Sequence, residues 1–285
     1  MVAFIVMAFA ASLSNLFVGI SSALHGIPEL SFGEIISGNV LDLTLAVALA
    51  ILFTKGNKKS IPSDGKTTQH TSIFTLIAAL LLAVLVLDGN LSRIDGASLI
   101  VFFVFYIIWL FSKRERFTKV FEEKLARPPT LKRFRDFMKD SGKVALGVIL
   151  LLLAAEGIVR SATFFAEAFY LPLFLVGILT IGLGNSLPET YFAIVSAKRG
   201  ETRMILGDLM GSVIVPTTLI LGLVALIHPI SISNFSPFFI ARVFLVIAIL
   251  FFFFFTRTDK KITRREAVIL LGIYLLFMIF EIWQV

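Results

Sequence analysis

Nine long apolar segments constrain the fold of this chain more than any other feature of its sequence. Of its 285 residues, 58% are hydrophobic, and they occur in long runs rather than in the 3.6-residue stripe of a soluble amphipathic helix. Runs of this length are typical of helices that cross a bilayer. The sequence therefore predicts an all-α polytopic membrane protein with about nine transmembrane helices, at roughly 2–25, 30–53, 71–88, 97–112, 143–169, 171–197, 204–228, 236–256 and 266–284.

The basic residues lie almost entirely in alternate loops. The loops after the second, fourth, sixth and eighth segments hold 23 of the 26 lysines and arginines, whereas the opposite loops hold only Arg93. Because positively charged loops stay in the cytoplasm, this pattern places the N-terminus inside and the C-terminus outside. It indicates an integral protein of the cell or inner membrane, and no nucleic-acid partner, in spite of a formal net charge of +7.

The sixth segment carries the motif GLGNSLPE at residues 182–189, inside the apolar run 171–197. A carboxylate at membrane depth is costly unless a cation or a partner compensates it, so Glu189 is a candidate functional residue. Pro188 and the neighbouring glycines interrupt regular helical hydrogen bonding. Backbone carbonyls and hydroxyls are then available to face a cation.

A second copy of this region begins near the N-terminus, at an offset of 174 residues and without a gap. Under the predicted topology the two copies run in opposite directions. An inverted repeat with polar, interrupted spans is typical of an alternating-access transporter whose site lies at the repeat interface. Chance similarity between apolar segments does not readily produce the aligned pairs, which include Ser12 with Ser186, Ser22 with Ser196, Gly26 with Gly200, Gly33 with Gly207, Glu34 with Asp208 and Thr44 with Thr218.

These motifs make the chain resemble the sodium/calcium exchanger family of the cation/calcium antiporter superfamily. The family's repeats typically read G-T-S-L-P-E, followed further along by G-D/N-x-x-G-S-N. The second copy matches this pattern, with GNSLPE at 184–189 and GDLMGS at 207–212. The first copy is degenerate, with AASLSN at 10–15 and GEIISGN at 33–39. Family members usually have ten helices in two inverted halves of five, so the resemblance implies that the first helix is missing here.

The resemblance also implies which residues bind the transported cations. The family's first-repeat Glu falls on Asn15, Asp42 stands where the family usually has Asn, and Pro216 stands at an often acidic position. Asp42 and Glu189 remain as two carboxylates in apolar segments, enough charge to balance one Ca2+ or two Na+. Hard cations take oxygen ligands, and the predicted metal-site residues are Ser12, Asn15, Asp42, Ser186, Glu189 and Ser212, assisted by carbonyls near Ala8 and Gly182.

The resemblance implies a secondary active cation antiporter, Na+/Ca2+-exchanger-like, that moves Ca2+ or a similar cation against Na+ by alternating access. Two alternatives stay open. One is a cation/proton exchanger, because Asn185 before Ser186 is similar to the Gly-Asn motif of that class. The other is a non-transporting homologue that acts as a membrane scaffold, because the first repeat is degenerate. We expect no cofactor beyond transported Ca2+, Na+ or H+. We expect no enzymatic activity, because no His lies deep in a segment where Ser-His-Asp chemistry would need it. The sequence has no P-loop or dinucleotide fingerprint, so we expect an ion gradient rather than ATP to supply the energy.

The chain divides into two halves around one polar region. Residues 1–112 form an N-terminal repeat half with four spans, and residues 143–285 form a C-terminal repeat half with five. Between them, the basic linker 113–142 has apolar residues at helical spacing, which predicts amphipathic helices on the anionic inner leaflet. The oligomeric state is left open.

Other carboxylates in the apolar segments have more ordinary interpretations. Glu34 and Asp208 lie near helix starts, where a carboxylate is favourable, so we interpret them as structural, with lining of the ion path as the alternative. Glu156 and Arg160 are four residues apart and are predicted to form an ion pair. Glu281, near the C-terminus, has no predicted role.

Overall fold

The structure, a computed structural model, describes residues 12–54, 60–112, 131–231 and 235–283. Within these ranges it contains nine helices, which confirms the predicted all-α fold. Four short strands also occur: β1 (Ser60–Pro62), β2 (Asn90–Leu91), β3 (Ile230–Ser231) and β4 (Lys261–Thr263). The helices are α1 (Leu13–Leu24), α2 (Glu29–Leu52), α3 (Lys66–Leu85), α4 (Arg93–Ser112), α5 (Leu131–Phe169), α6 (Leu173–Arg199), α7 (202–227), α8 (Phe235–Arg257) and α9 (Arg264–Ile282).

Seven of these helices, α2 to α8, are long and apolar enough to cross a membrane, so the chain is an integral membrane protein. Helix α1 has 12 residues, and residues 2–11 of the predicted first segment lie outside the described residues. Helix α9 has 19 residues and is apolar in its middle, but it carries Arg264, Arg265 and Glu266 at its start and Glu281 near its end. The helix bounds agree with the predicted segments to within a few residues, except that α1 begins later, at Leu13, and α3, α4 and α5 begin earlier than predicted.

Three of the helices contain π-helical segments, in which the backbone hydrogen bonds are shifted by one residue. They are Asp42–Ala46 in α2, Gly177–Gly182 in α6 and Pro216–Ile220 in α7. The segments in α2 and α7 are offset by the same 174 residues as the sequence repeat. The equivalent threonines, Thr44 and Thr218, each donate to the carbonyl four residues earlier. Such segments are frequent at functional sites, and here they mark corresponding places in the two halves.

Each of the two small antiparallel sheets joins two loops that the charge pattern assigns to the same side of the membrane. Strand β1, after α2, pairs with β4, after α8, and both lie in basic loops. Strand β2, after α3, pairs with β3, after α7, and both lie in the opposite set of loops. Strands can pair only if they lie on the same side, so both pairings agree with the predicted alternation of loops.

Of the seven long apolar helices, α2 and α7 are the most enclosed, with 78% of an apolar 18-residue stretch of each buried inside the protein. Helix α2 crosses α6 at very close range because glycines face the contact. A Cβ atom on Gly33 would collide with the carbonyl oxygen of Phe174, and one on Gly177 would collide with the carbonyl oxygen of Leu30. This approach brings the interrupted part of α6 against the middle of α2.

Helix α5 is a single 39-residue helix that begins at Leu131, so the backbone of the second part of the predicted linker continues into the fifth span. The first part, residues 113–130, lies outside the described residues. The predicted pair of Glu156 and Arg160 is confirmed, with Arg160 Nε 2.7 Å from Glu156 Oε1. Ser21 of α1 donates to the other oxygen of Glu156 at 3.1 Å, which fastens α5 to α1.

The close crossing of α2 and α6 predicts that Gly33→Ala destabilises the protein. The added methyl group has no room beside the Phe174 carbonyl, and overpacking of this kind costs about 1–3 kcal/mol. Thermal unfolding of the purified chain in detergent measures the effect. Gly272→Ala in α9 is the matched control, because a Cβ atom there meets nothing within 4 Å and alanine is the better helix former. Equal melting temperatures for the two variants would contradict the inferred contact.

Candidate cation-binding site

A small cavity of about 10 Å3 lies where α1, α2, α6 and α7 meet. This space is comparable to that of a single water molecule or a dehydrated ion. Six of its lining residues are the six predicted metal-site residues, which come from four helices and both repeats. The full lining is Ser12, Asn15, Ile35, Gly38, Asn39, Asp42, Asn185, Ser186, Glu189, Ser212 and Pro216.

Asp42 opens the π-helical segment of α2 and is only 3% exposed. Its Oδ2 atom accepts a hydrogen bond from the Ser212 hydroxyl of α7 at 2.5 Å. Its Oδ1 atom is buried and has no hydrogen-bond partner among the residues that the structure describes. Asp42 therefore ties the two central helices together while keeping one acceptor oxygen unused.

Glu189 lies just after a break in α6. The helix is interrupted at Ser186 and resumes at Leu187, with Pro188 in its first turn. Because proline has no N–H, the carbonyl of Gly184 cannot accept the bond from residue 188 that a regular α-helix would supply, and it accepts instead from a backbone N–H at the end of the preceding helical segment. Glu189 is 7% exposed, and its Oε2 atom is also buried without a partner in the described part of the chain.

Within the described ranges no Lys, Arg or His side chain is seen to pair with either of these two carboxylates. Asp42 and Glu189 lie close enough to interact electrostatically, and Asp208 adds to the negative potential at both. Buried charges are costly unless they are paired. The arrangement therefore favours a bound cation or proton.

The remaining predicted residues add neutral oxygens. Ser12 and Asn15 come from the start of α1, and the Asn15 Oδ1 atom accepts a hydrogen bond from Ser14 at 3.1 Å. Ser186 comes from the break in α6. The described residues hold no group of three or more His, Cys, Asp or Glu that could bind a metal. Any cation here would therefore be held by two carboxylates together with amides and hydroxyls, an oxygen set that suits hard cations. The predicted carbonyl near Ala8 lies outside the described residues.

Sequence reasoning did not include two amides of the cavity, Asn39 and Asn185. The Nδ2 atom of Asn39 donates to the Thr217 hydroxyl at 2.7 Å, which links α2 to the π-helical segment of α7. The Nδ2 atom of Asn185 donates to Glu34, a second link between α6 and α2. Both amides belong to the motifs GEIISGN and GNSLPE, and this is the sequence signal from which they could have been identified.

The comparisons with known proteins agree with the geometry. The model of the sodium/calcium exchanger protein family matches residues 1–112 and 142–283. The inner membrane protein YrbG of Escherichia coli K12 is 25% identical over 280 residues, which cover 98% of this chain and 85% of YrbG. The sodium/calcium exchanger MaX1 of Methanosarcina acetivorans is 32% identical over 143 residues, which cover 50% of this chain and 41% of that protein.

Solved structures of the sodium-calcium exchanger NCX_Mj have the same fold. One of them superposes with a TM-score of 0.65 at 22% identity, and the alignment covers 96% of this chain and 86% of that chain. The family match extends over both repeat halves and includes all six predicted metal-site residues. The chain belongs to the sodium/calcium exchanger family.

Proposed function

We propose that this protein is a secondary active antiporter that exchanges Ca2+ or a similar cation for Na+. The observation that carries the proposal is the pair of buried carboxylates, Asp42 and Glu189, which share one cavity without a positive side chain among the described residues. Two negative charges match one Ca2+ or two Na+. The name of the relative MaX1, a sodium/calcium exchanger, supports the same ions.

In this proposal the cation is bound by the two carboxylates and by neutral oxygens of the cavity. The Asp42 Oδ1 and Glu189 Oε2 atoms, which are buried without hydrogen-bond partners in the described chain, are the natural first ligands. The neutral ligands are Ser12, Asn15, Ser186 and Ser212.

Transport proceeds by alternating access between the two inverted halves, residues 1–112 and 143–285, with 113–142 connecting them. The ligands come from α1 and α2 in one half and from α6 and α7 in the other. A movement of α1 and α6 against the rest of the bundle would open the cavity to one side at a time. Exchange rather than uniport follows because the empty site, with two bare carboxylates, is costly to reorient.

The orientation and surroundings also belong to this proposal. The basic loops place the N-terminus in the cytoplasm and the C-terminus outside, and the strand pairings between loops of the same set support this alternation. The basic linker 113–142 binds the anionic inner leaflet. The name of the relative YrbG, an inner membrane protein, supports a location in the cell or inner membrane.

The proposal predicts that Glu189→Gln abolishes cation exchange. The variant removes one of the two carboxylate charges and keeps the shape of the side chain. Because the loss of one partner of a buried charge pair costs several kcal/mol, we expect sodium-driven Ca2+ uptake to fall by about a hundredfold or more. Uptake into proteoliposomes measures the rate, and Asp42→Asn should behave in the same way. Glu167→Gln is the control, because Glu167 is an exposed carboxylate near the end of α5.

Near-normal uptake by Glu189→Gln would remove Glu189 from the mechanism. The same vesicles distinguish sodium coupling from proton coupling. Uptake that follows a sodium gradient at equal pH supports the exchanger proposed here, whereas uptake that follows a pH gradient without sodium would replace it with a cation/proton exchanger.

A second prediction concerns binding without transport. A ligand that binds only the folded protein at a hundred times its Kd stabilises it by about 2.7 kcal/mol. Saturating Ca2+ should therefore raise the melting temperature of the purified full chain in detergent, and Glu189→Gln should lose most of this shift. If neither Ca2+ nor Na+ shifts the unmodified chain, a non-transporting role as a membrane scaffold would be favoured instead.

A further inference from the structure

Glu34 extends the face of α2 that lines the cavity. Glu34, Gly38 and Asp42 are spaced four residues apart, so they lie on one side of the helix. Gly38 and Asp42 line the cavity, and Glu34 is one turn further toward the start of α2, about 6 Å along the axis. The Glu34 side chain is 1% exposed, although no charged partner for it is seen in the described ranges.

Glu34 reaches the cavity through Asn185. The Asn185 Nδ2 atom donates a short hydrogen bond to Glu34 Oε1, and Asn185 itself lines the cavity next to Ser186. The two helices approach closely here because α6 has a glycine at 182, where a Cβ atom would lie 2.9 Å from the Glu34 carbonyl oxygen. The contact between Glu34 and Asn185 therefore joins α2 to α6 and is partly buried.

This hydrogen bond determines which end of the amide is turned away from Glu34. A side-chain amide has one donor end and one acceptor end. When Nδ2 faces Glu34, the Oδ1 atom is turned away from Glu34, and Asn185 is one of the residues that line the cavity. Without Glu34 the amide can rotate and present its NH2 group to the cavity, where its partial positive charge opposes a cation.

We propose that Glu34 is a positioning residue that holds the Asn185 amide with its oxygen available to the cation, which makes the Asn185 side chain a further ligand of the site. This inference rests on the proposed function, because it requires a cation in the cavity. It assigns a role to a carboxylate that the charge balance of Asp42 and Glu189 leaves out.

The arrangement occurs in only one of the two repeats. Glu34 aligns with Asp208 at the offset of 174 residues, but Asn185 aligns with Ala11, which has no polar side chain. The repeat thus keeps an acidic residue at both positions and an amide beside only one of them. The Asn185 amide is accordingly a ligand contributed by the second repeat alone.

The experiment measures Ca2+ affinity of the full-length chain in detergent by calorimetry. Glu34→Met removes the acceptor at similar volume, and Asn185→Ala removes the amide. We expect each to weaken binding about tenfold, the size of one hydrogen bond to a charged group. Glu34→Gln keeps an acceptor oxygen and should retain most of the affinity. The double variant Glu34→Met with Asn185→Ala should bind as weakly as Asn185→Ala alone, because Glu34 acts through that amide.

Glu281→Gln is the matched control, since Glu281 is fully buried on α9 and does not line the cavity; its affinity should stay within about twofold. Wild-type affinity in Glu34→Met would overturn the positioning role while leaving the antiporter proposal in place. A further tenfold loss in the double variant would also overturn it, because Glu34 would then act independently of Asn185. If the unmodified chain binds neither Ca2+ nor Na+, both proposals fail together.

Discussion

The burial of two carboxylates in an apolar helical bundle is the constraint on which the rest of this structure depends. Asp42 and Glu189 are almost fully enclosed, and each keeps an oxygen without a hydrogen-bond partner in the described part of the chain. Serine and asparagine side chains surround them and supply neutral oxygens and one strong hydrogen bond, from Ser212 to Asp42. Buried carboxylates are costly unless a cation or a proton compensates them, so the proposed binding of cations would also stabilise the bundle.

The backbone makes this site possible by departing from regular α-helix where the four helices meet. The π-helical segments of α2 and α7 begin at Asp42 and Pro216, two residues of the cavity lining. In α6 the regular helix is broken at Ser186, and Pro188, which has no N–H, lies in the first turn of the segment that carries Glu189. Gly33 and Gly177 let α2 and α6 approach closely enough for these interruptions to face one cavity.

Several side-chain contacts could not be predicted from the sequence. The family resemblance implied six metal-site residues, and all six line one cavity. It did not predict that Asn39 bonds to Thr217 or that Asn185 bonds to Glu34, because each contact joins residues more than 150 positions apart and depends on how two helices are rotated about their axes. Glu281, to which the sequence assigned no role, is fully buried for the same reason.

Hydropathy by itself determined the number of helices and the membrane class, because burying backbone polar groups in a bilayer leaves few other folds. The 174-residue register determined that the two halves are related, and the alternation of basic loops determined that their predicted directions are opposite. Only the tertiary structure decided which polar groups meet. The helix rotations, the π-helical segments and the glycine contacts that bring Asp42, Glu189 and Asn185 together arise from packing between distant segments, and local sequence patterns do not encode that packing.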